Sequence, residues 1–241
     1  MGQHGLSLYN PDTRRLVTVA KAEFLGGADP NSHEYWMAVG PRYAWVTRHF
    51  RSVTSDGDVF LDGELIRISL NNRSVIRMPL KCDPAGAPAV TKTAVWVACG
   101  SGEIRRLDPA SGHVLARMTL QKLKASSIAA DDSAVWVQTW TTERPGYPEP
   151  FVLRLDPKTM RVAKRIPVRT SYLAVGKDAD FWGVAGDSSD RSVVLTRLSR
   201  DPSNRVEVPL GERVDPRDVV VGPNAVWVLN GDPDAIVRIA R

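Results

Sequence analysis

The stretch AVWVACGSGEIRRLDPASGHVLARMTL, residues 94–120, decides the fold because its pattern returns along the whole chain. Similar copies begin at Ala134 and Asp180, a looser one begins at Tyr43, and a shortened one begins at Ala225. Each copy places a tryptophan inside a short run of β-branched or aromatic residues, which is the composition of a half-buried strand. Because repeats of about 45 residues cannot bury a core alone, the copies must stack on one another. Residues 1–241 are therefore predicted to form a single domain.

Four strands, A to D, are predicted in each repeat. Strand A is short and rich in small residues, strand B carries the tryptophan, strand C carries a recurring arginine, and strand D follows an Asp-Pro-type turn. No segment has the 3.6-residue periodicity of a helix. Four-stranded units with this period are typical of β-propellers, in which strand A lines a central channel. The repeated tryptophans are then structural and pack between blades: Trp45, Trp96, Trp136, Trp182 and Trp227.

Five tryptophan repeats favour five blades, near residues 31–80, 81–120, 121–168, 169–210 and 211–241, with 6–20 added to the last. The final repeat ends within strand C, whereas residues 15–20 resemble a strand D. We therefore expect the N-terminal strand to close the last blade and to leave no open sheet edge. Residues 6–9 look like one strand C too many. A segment of a six- to eight-bladed propeller stays open as the alternative.

The repeats differ in length mainly between strands B and C. The distance from each tryptophan to its arginine is 22, 10, 18, 15 or 11 residues, whereas the distance from that arginine to the next tryptophan is 28–30. Loops absorb insertions and carry function, so loops are predicted at 49–63, 139–150 and 186–191. In a propeller, the B–C and D–A loops emerge on one face. We expect the ligand there, near Arg48, Asp56, Asp58, Asp62, Trp140, Glu143, Tyr147, Asp187, Asp190, Lys122, Lys124, Arg169, Arg213 and Asp215.

Catalytic and metal-binding motifs are weak. His33 and Glu34, with His49, offer a general base or metal ligands at the same face, but they lack His-Glu-x-x-His spacing. The acidic residues from Asp56 to Glu64 do not follow the EF-hand pattern. The sequence contains no nucleophile elbow, P-loop, dinucleotide fingerprint or zinc cluster. No cofactor is predicted, although a divalent cation is possible, and a metal-assisted lyase or hydrolase is the alternative function.

Charge and cysteine content limit the partners. The net charge of +5 is dispersed over the chain, so we expect no nucleic acid partner. No apolar run approaches the roughly 20 residues that a membrane span needs. Cys82 and Cys99 flank one predicted hairpin, which leaves both a disulfide and two free thiols open. A disulfide would favour an oxidising compartment.

The motif AVWV, followed by G-x-I-x-R-L-D-P-x-S/T-x-x-V, resembles the repeats of bacterial β-propellers of the YVTN and YncE-like group. Virginiamycin B lyase-like and quinoprotein-type propellers share this repeat style. The resemblance implies a propeller and favours a location outside the cytoplasm, although this chain shows no secretory signal. The lyase branch implies Mg²⁺ and a catalytic histidine from the later blades. None of the histidines lies there, and no quinone-docking pattern occurs; the histidines are His4, His33, His49 and His113.

These observations favour a non-catalytic propeller over an enzyme. We expect it to bind a protein or a small molecule through the face that carries the B–C and D–A loops. Besides the metal-assisted enzyme, a sensor domain of a larger envelope or kinase protein is a further alternative. The sequence does not indicate which ligand is bound or whether the protein forms oligomers.

Overall fold

The structure is a computed structural model, and it describes residues 6–10, 15–20, 33–54, 57–141, 150–176, 180–186, 192–198, 204–212, 215–222, 224–231 and 234–240. All regular structure in these residues is β-strand, without a helix. The described part of the chain accordingly offers no helix that could cross a membrane. The absence of helices agrees with the alternating, turn-punctuated sequence, in which a period of two dominates.

The strands form six antiparallel sheets in chain order. A two-stranded N-terminal sheet is followed by four sheets of four strands, sheets 1 to 4, and then by sheet 5 with three strands. The N-terminal sheet contains β1 (Leu6–Asn10) and β2 (Arg15–Ala20). Sheet 1 contains β3 (His33–Val39), β4 (Tyr43–Thr54), β5 (Gly57–Ser69) and β6 (Val75–Pro79). Sheet 2 contains β7 (Ala89–Val90), β8 (Val95–Ala98), β9 (Glu103–Leu107) and β10 (Val114–Thr119).

The later sheets repeat the same order of strands. Sheet 3 contains β11 (Leu123–Ala130), β12 (Val135–Thr141), β13 (Pro150–Leu155) and β14 (Val162–Ile166). Sheet 4 contains β15 (Tyr172–Val175), β16 (Phe181–Gly186), β17 (Ser192–Leu198) and β18 (Arg205–Glu212). Sheet 5 contains β19 (Pro216–Val221), β20 (Ala225–Gly231) and β21 (Asp234–Ala240). Each strand pairs with the next one along the chain, so every sheet is a meander.

The sheets are arranged as the blades of a propeller. The first strands of successive sheets lie side by side, β3 against β7, β7 against β11, β11 against β15, and β15 against β19. Small residues on these strands allow this close approach, as at Ala129 and Ala174. The prediction of an all-β propeller with five blades is confirmed.

One detail differs from the predicted closure. Strand β2 pairs with β1 instead of with the last strand, and sheet 5 contains only β19, β20 and β21 among the described residues. The two N-terminal strands are separated by four positions, 11–14. Pairing neighbours in sequence costs less loop-closure entropy than pairing the two ends of the chain. The extra strand seen in the sequence at residues 6–9 is therefore the partner of β2.

The repeated tryptophans of sheets 1 to 4 fill the spaces between blades. Trp45 shares a buried cluster with Val95 and Val97 of sheet 2, and Trp96 does the same with Val135 and Val137 of sheet 3. The next two tryptophans follow this rule: Trp136 stacks on Phe181 at 5.4 Å between ring centroids, and Trp182 packs with Val226 and Val228. The valines flank the tryptophan of the following blade on its opposite face, because side chains alternate along a strand.

Sheet 5 breaks this pattern. Trp227 is 39% exposed, and Val220, Leu229 and Ile236 on the same sheet are also exposed. Trp136, its counterpart in sheet 3, is fully buried. Each of the four earlier tryptophans packs against the sheet that comes after it, whereas Trp227 belongs to the last sheet that the structure describes.

The recurring arginine of strand C lies over this tryptophan in every repeat. Its guanidinium carbon is 5.6–6.0 Å from the centroid of the indole directly opposite in the ladder. The pairs are Arg67 with Trp45, Arg106 with Trp96, Arg154 with Trp136, Arg197 with Trp182, and Arg238 with Trp227. A cation over an indole face is favourable by about 0.5–2 kcal/mol. The arginine is thus a structural element of the repeat, and only Arg197 among these also pairs with a carboxylate, Asp180, in the described residues.

Candidate functional site

The B–C and D–A connections emerge at one end of the sheets, called here the loop end; the A–B and C–D turns lie at the opposite, turn end. The prediction of a loop at residues 49–63, at the loop end of sheet 1, is wrong. Strands β4 and β5 continue as a hairpin, with Arg51 opposite Phe60 and Thr54 opposite Gly57. Among the described residues, the ladder of β3 with β4 extends to Phe50, and the ladder of β6 with β5 extends to Glu64. The hairpin therefore projects beyond both neighbouring strands.

A charged network lies at the base of this hairpin. Arg48 is only 5% exposed, and its Nη1 lies 2.9 Å from Oε1 of Glu64, its ladder partner on β5. Arg77 extends from β6, and its Nη1 lies 3.2 Å from the same oxygen of Glu64. The Arg48 guanidinium carbon is 5.8 Å from the ring centroid of Tyr35 on β3. One carboxylate is therefore shared by two guanidinium groups across adjacent strands.

Burial raises the pKa of the Tyr35 hydroxyl above its ordinary value, and the positive charge of Arg48 opposes that rise. Desolvation has this sign because it disfavours the phenolate, which is the charged form. The phenol is therefore neutral at physiological pH. A neutral hydroxyl can donate and accept hydrogen bonds, so Tyr35 adds both a donor and an acceptor beside the charged groups.

His49 joins sheet 1 to the start of sheet 2. The imidazole is buried, and its Nδ1 lies 2.8 Å from Oδ1 of Asp83 in the D–A connection that follows β6. The Trp36 ring meets it edge-on, with 5.6 Å between centroids. A histidine held by a carboxylate on one nitrogen has a fixed ring orientation. Residues on β3 and in the D–A connection thus position His49.

The connection that carries Asp83 is anchored on both sides. Cys82 and Cys99 form a disulfide, which decides between the two alternatives left open by the sequence. Thr47 donates from Oγ1 to the carbonyl of Gly86 at 2.7 Å, and Arg105 donates to the carbonyl of Leu80. These contacts hold residues 80–86 against both sheets.

Gly63 is required by the same anchoring. A Cβ at this position would lie 2.3 Å from Cδ of Pro84 and 2.5 Å from the carbonyl oxygen of Arg48. Both neighbours are rigid, so no larger residue fits without moving the connection or the strand. The backbone of β5 approaches the connection directly, and Gly63 donates its N–H to the carbonyl of Cys82 at 2.8 Å.

The potential catalytic residues meet at this end through strand register. Glu34 pairs with His49 in the ladder of β3 and β4, and His33 pairs with Phe50. The three predicted residues therefore lie on adjacent strands at the base of the hairpin. Within the described ranges, no group of three histidine, cysteine or acidic side chains is arranged to hold a metal ion.

The other predicted ligand-face residues are more scattered. Asp62 is exposed on β5, and Asp58 pairs through its backbone with Val53 in the hairpin. On sheet 3, Lys124 pairs with the half-buried Trp140, Lys122 precedes β11, and Arg169 is exposed after β14. Asp215, before β19, lies 2.6 Å from Nη2 of Arg217. Six predicted residues lie outside the described residues: Asp56, Glu143, Tyr147, Asp187, Asp190 and Arg213.

Three partners in the network were not predicted from the sequence. Glu64, Arg77 and Asp83 belong to strand C, strand D and the following connection, and they meet only when β5, β6 and the next blade pack together. Register offers one usable signal: Trp45 pairs with Arg67, so Arg48, three positions after Trp45, pairs with Glu64, three positions before Arg67. The sequence carries no comparable signal for Asp83.

A second feature of the loop end is a cleft of about 380 Å³ on sheet 3, beside Phe151, Arg165 and Arg169. It lies where β13 begins and β14 ends. At the turn end, a cleft of about 350 Å³ between sheets 1 and 2 is lined by turn residues such as Pro41, Thr91 and Pro109.

Comparisons with known proteins identify the fold alone. No protein-family model matches the chain, and no curated protein matches it. A chain of the mitotic checkpoint complex resembles it with a TM-score of 0.59 and 10% identity, over 98% of this chain and 81% of that one. The Neurospora crassa Pan2 WD40 domain is similar with a TM-score of 0.54 and 11% identity, over 84% of this chain and 60% of that domain's chain. Kuenenia stuttgartiensis hydrazine synthase is similar with a TM-score of 0.58 and 11% identity, over 88% of this chain and 67% of that one. The propeller fold occurs in proteins with many different functions, so the function of this chain has to be argued from the residues of its site.

Proposed function

We propose that the protein is a non-catalytic binding module, a bacterial propeller of the YVTN-like type, whose sheet 1 hairpin receives a partner protein at the loop end. The observation that carries this proposal is the projection of β4 and β5 beyond β3 and β6. From Arg51 to Thr54 and from Gly57 to Phe60, the described strands pair only with each other. Among the described residues, neither outer edge of this part of the hairpin is paired within its own sheet.

Unpaired strand edges are a natural template for another chain. An added strand from a partner would complete the hydrogen bonds of such an edge, and its alternate side chains would supply specificity. Natural proteins usually shorten, cover or charge an edge that must stay free. Within the described residues, sheet 1 keeps β4 and β5 paired well beyond the ladders of β3 and β6, which supports a role in recognition.

The base of the hairpin is suited to this role because it is rigid. The Arg48–Glu64–Arg77 network joins three strands, and His49 with Asp83 joins the hairpin to the disulfide-anchored connection. A preorganised surface loses less conformational entropy on binding than a mobile one. The hairpin direction is thus defined before the partner arrives.

A shortened hairpin tests the proposal. Phe50 and Leu61 are ladder partners, so residues 51–60 can be replaced by Asn-Gly, which forms a two-residue hairpin turn. Partners captured by the wild-type protein and verified by direct titration should bind the shortened variant at least about tenfold more weakly, equivalent to about 1.4 kcal/mol. The unfolding transition should stay cooperative. Lys92→Glu, exposed at the turn end, serves as the control and should bind normally. Unchanged affinity of the shortened variant for every verified partner would refute the proposal.

A metal-assisted lyase or hydrolase is the second candidate, because strand register places His33 and Glu34 beside His49. Carboxylate and imidazole ligands are those that divalent ions commonly use in proteins. Calorimetric titration with Mg²⁺, Mn²⁺ and Zn²⁺ tests it. Binding that His49→Ala weakens would support the candidate, and the absence of saturable binding by all three ions would exclude it.

A further inference from the structure

We propose that the cleft on sheet 3 binds a small organic carboxylate whose remaining part is apolar or aromatic. The cleft measures about 380 Å³ and is lined by Pro150, Phe151, Arg165, Pro167, Val168 and Arg169. This volume lies within the roughly 300–1,000 Å³ of small-molecule sites. It lies at the loop end, but on a different sheet from the hairpin, so this inference stands independently of the proposed protein partner.

The cleft contains two guanidinium groups without a carboxylate partner. Arg165 and Arg169 are exposed, and neither forms an ion pair with any residue that the structure describes. Arg48, Arg105 and Arg197 by contrast each contact an acidic side chain within the protein. Arginine has a planar set of donors that matches the two oxygens of a carboxylate. Two such groups at one cleft favour an anionic ligand.

Arg165 is held in place by an aromatic ring. Its guanidinium carbon lies 3.5 Å from the ring centroid of Phe151. Arg165 pairs with Leu153 in the ladder, and Phe151 is two positions along the same strand, which is within reach of a long side chain. The ring therefore restricts the guanidinium before a ligand binds, and this lowers the entropic cost of binding.

Buried hydrogen bonds anchor the backbone at one lining residue, Phe151, and next to another, Arg169. Thr170, next to Arg169, donates its hydroxyl proton to Oε1 of Gln138, and Thr139 donates from Oγ1 to the carbonyl of Phe151 at 3.1 Å. Gln138, Thr139 and Thr170 are all at most 5% exposed. A satisfied polar network in a buried position is rigid. Both ends of the cleft, at Phe151 and at Arg169, are thereby tied to sheet 3.

The remaining lining determines the class of anion. Pro150 and Pro167 offer apolar surface, and prolines donate no hydrogen bond from either the side chain or the backbone. A phosphate or sulfate ion would leave this surface without a contact. A carboxylate on an aromatic or aliphatic group would meet the guanidinium groups with its charged end and the prolines with its apolar part.

Titration with three probes tests the assignment. Benzoate carries both features, benzamide keeps the shape without the charge, and inorganic phosphate keeps charge without the apolar group. In two-dimensional NMR titrations, we expect benzoate to shift the amides of residues 150–151 and 165–170 in a saturable way. Benzamide and phosphate should each bind at least about tenfold more weakly, since a charge-assisted pair or the apolar contact is lost. Equal binding of either probe, or no saturation with benzoate, would overturn the assignment.

Matched variants locate the site. Arg165→Gln and Arg169→Gln should each weaken benzoate binding by about tenfold. Arg161→Gln, an exposed arginine at the turn end of the same sheet, should leave it unchanged. The hairpin-shortened variant should bind benzoate like the wild type, so failure here is distinct from failure of the proposed protein interaction. Full affinity in both cleft variants would refute the role of the two arginines.

Discussion

The two ends of the sheets differ in how much the repeats share. At the turn end, sheets 2 and 3 use the same device. Oδ1 of Asp108 accepts from the N–H of Ala110, from the N–H of Ser111 at 2.6 Å and from the Ser111 hydroxyl. Oδ1 of Asp156 accepts from the corresponding groups of Lys158 and Thr159. Proline after the aspartate presets the turn in both.

At the loop end, two junctions between sheets differ in their polar groups. Between sheets 1 and 2, the junction contains charged groups, a histidine and a disulfide. Between sheets 3 and 4, the buried polar groups are the neutral Gln138 and Thr170, next to the arginine cleft. Tryptophan packing and the shared turns stabilise each blade, so the residues at the loop end can differ from one repeat to the next. Residues that bind a ligand are therefore to be sought at the loop end, where the repeats differ.

The largest expected effect at the loop end comes from the disulfide. Cys82 and Cys99 are 17 positions apart, and closing a loop of this length stabilises the folded state by about 3 kcal/mol. The variant carrying Cys82→Ala and Cys99→Ala should lose about this much free energy of unfolding in urea titrations. Wild-type protein unfolded with a reductant should behave similarly, whereas the double variant should not respond to the reductant.

Hydrogen exchange then shows where the disulfide acts. Amides of residues 80–86 should lose protection in the double variant, while those of sheet 3 should keep it, because the bridge anchors the connection between sheets 1 and 2. Equal loss of protection in both places would contradict a local role at the loop end.

The shared carboxylate of Glu64 gives the second effect. Glu64→Gln removes the charge that pairs with Arg48 and Arg77, and the free energy of unfolding should fall by about 1–3 kcal/mol because Arg48 is buried. Glu207→Gln is the matched control. Glu207 pairs with Arg205 on an exposed strand surface, and the expected change is within about 0.5 kcal/mol. Equal effects of the two substitutions would show that the network at the hairpin base adds no stability.

Local chemistry explains which features the sequence predicted. The order of four strands and the packing of Trp136 between blades depend on turn residues and β-branched runs that each repeat carries. The prediction of a loop in sheet 1 is wrong, because the number of residues between a tryptophan and its arginine does not indicate whether the residues between them form paired strands. Alternating residues around Asp56-Gly57, with Val59 and Phe60 after them, offer the signal that would have predicted the hairpin.

Side-chain contacts between strands and between blades could not be predicted from the sequence. Arg48, His49 and Arg169 were expected at the loop end from their position in the repeat. The partners Glu64 and Asp83 depend on register across β4 and β5 and on the docking of residues 80–86 against sheet 1. The cleft at Arg165 likewise depends on the diagonal contact with Phe151. These are properties of packed sheets, which no single repeat encodes.

The smallest predicted effect belongs to the turn end and depends on pH. Hydrogen bonds from the Thr159 N–H and then from its hydroxyl lower the pKa of Asp156 below its usual 3.8. A carboxylate with a lowered folded-state pKa stabilises the fold above the unfolded pKa, and this contribution is lost as pH falls through the folded value. Asp156→Asn keeps an acceptor but removes the charge, so wild type should be more stable than the variant at pH 7.

Equilibrium unfolding of both proteins at several pH values below 5 checks this, and the difference between them should shrink steadily as the pH falls. Asp108→Asn in sheet 2 should behave alike, because the Ser111 N–H and hydroxyl lower the pKa of Asp108 in the same way. Asp132→Asn removes an exposed carboxylate from a different turn of the same end and serves as the control. Matching curves for the two C–D turns would mean that the repeats share this turn energetically as well as in geometry. Unlike curves for Asp108 and Asp156 would weaken the contrast between a common turn end and a variable loop end.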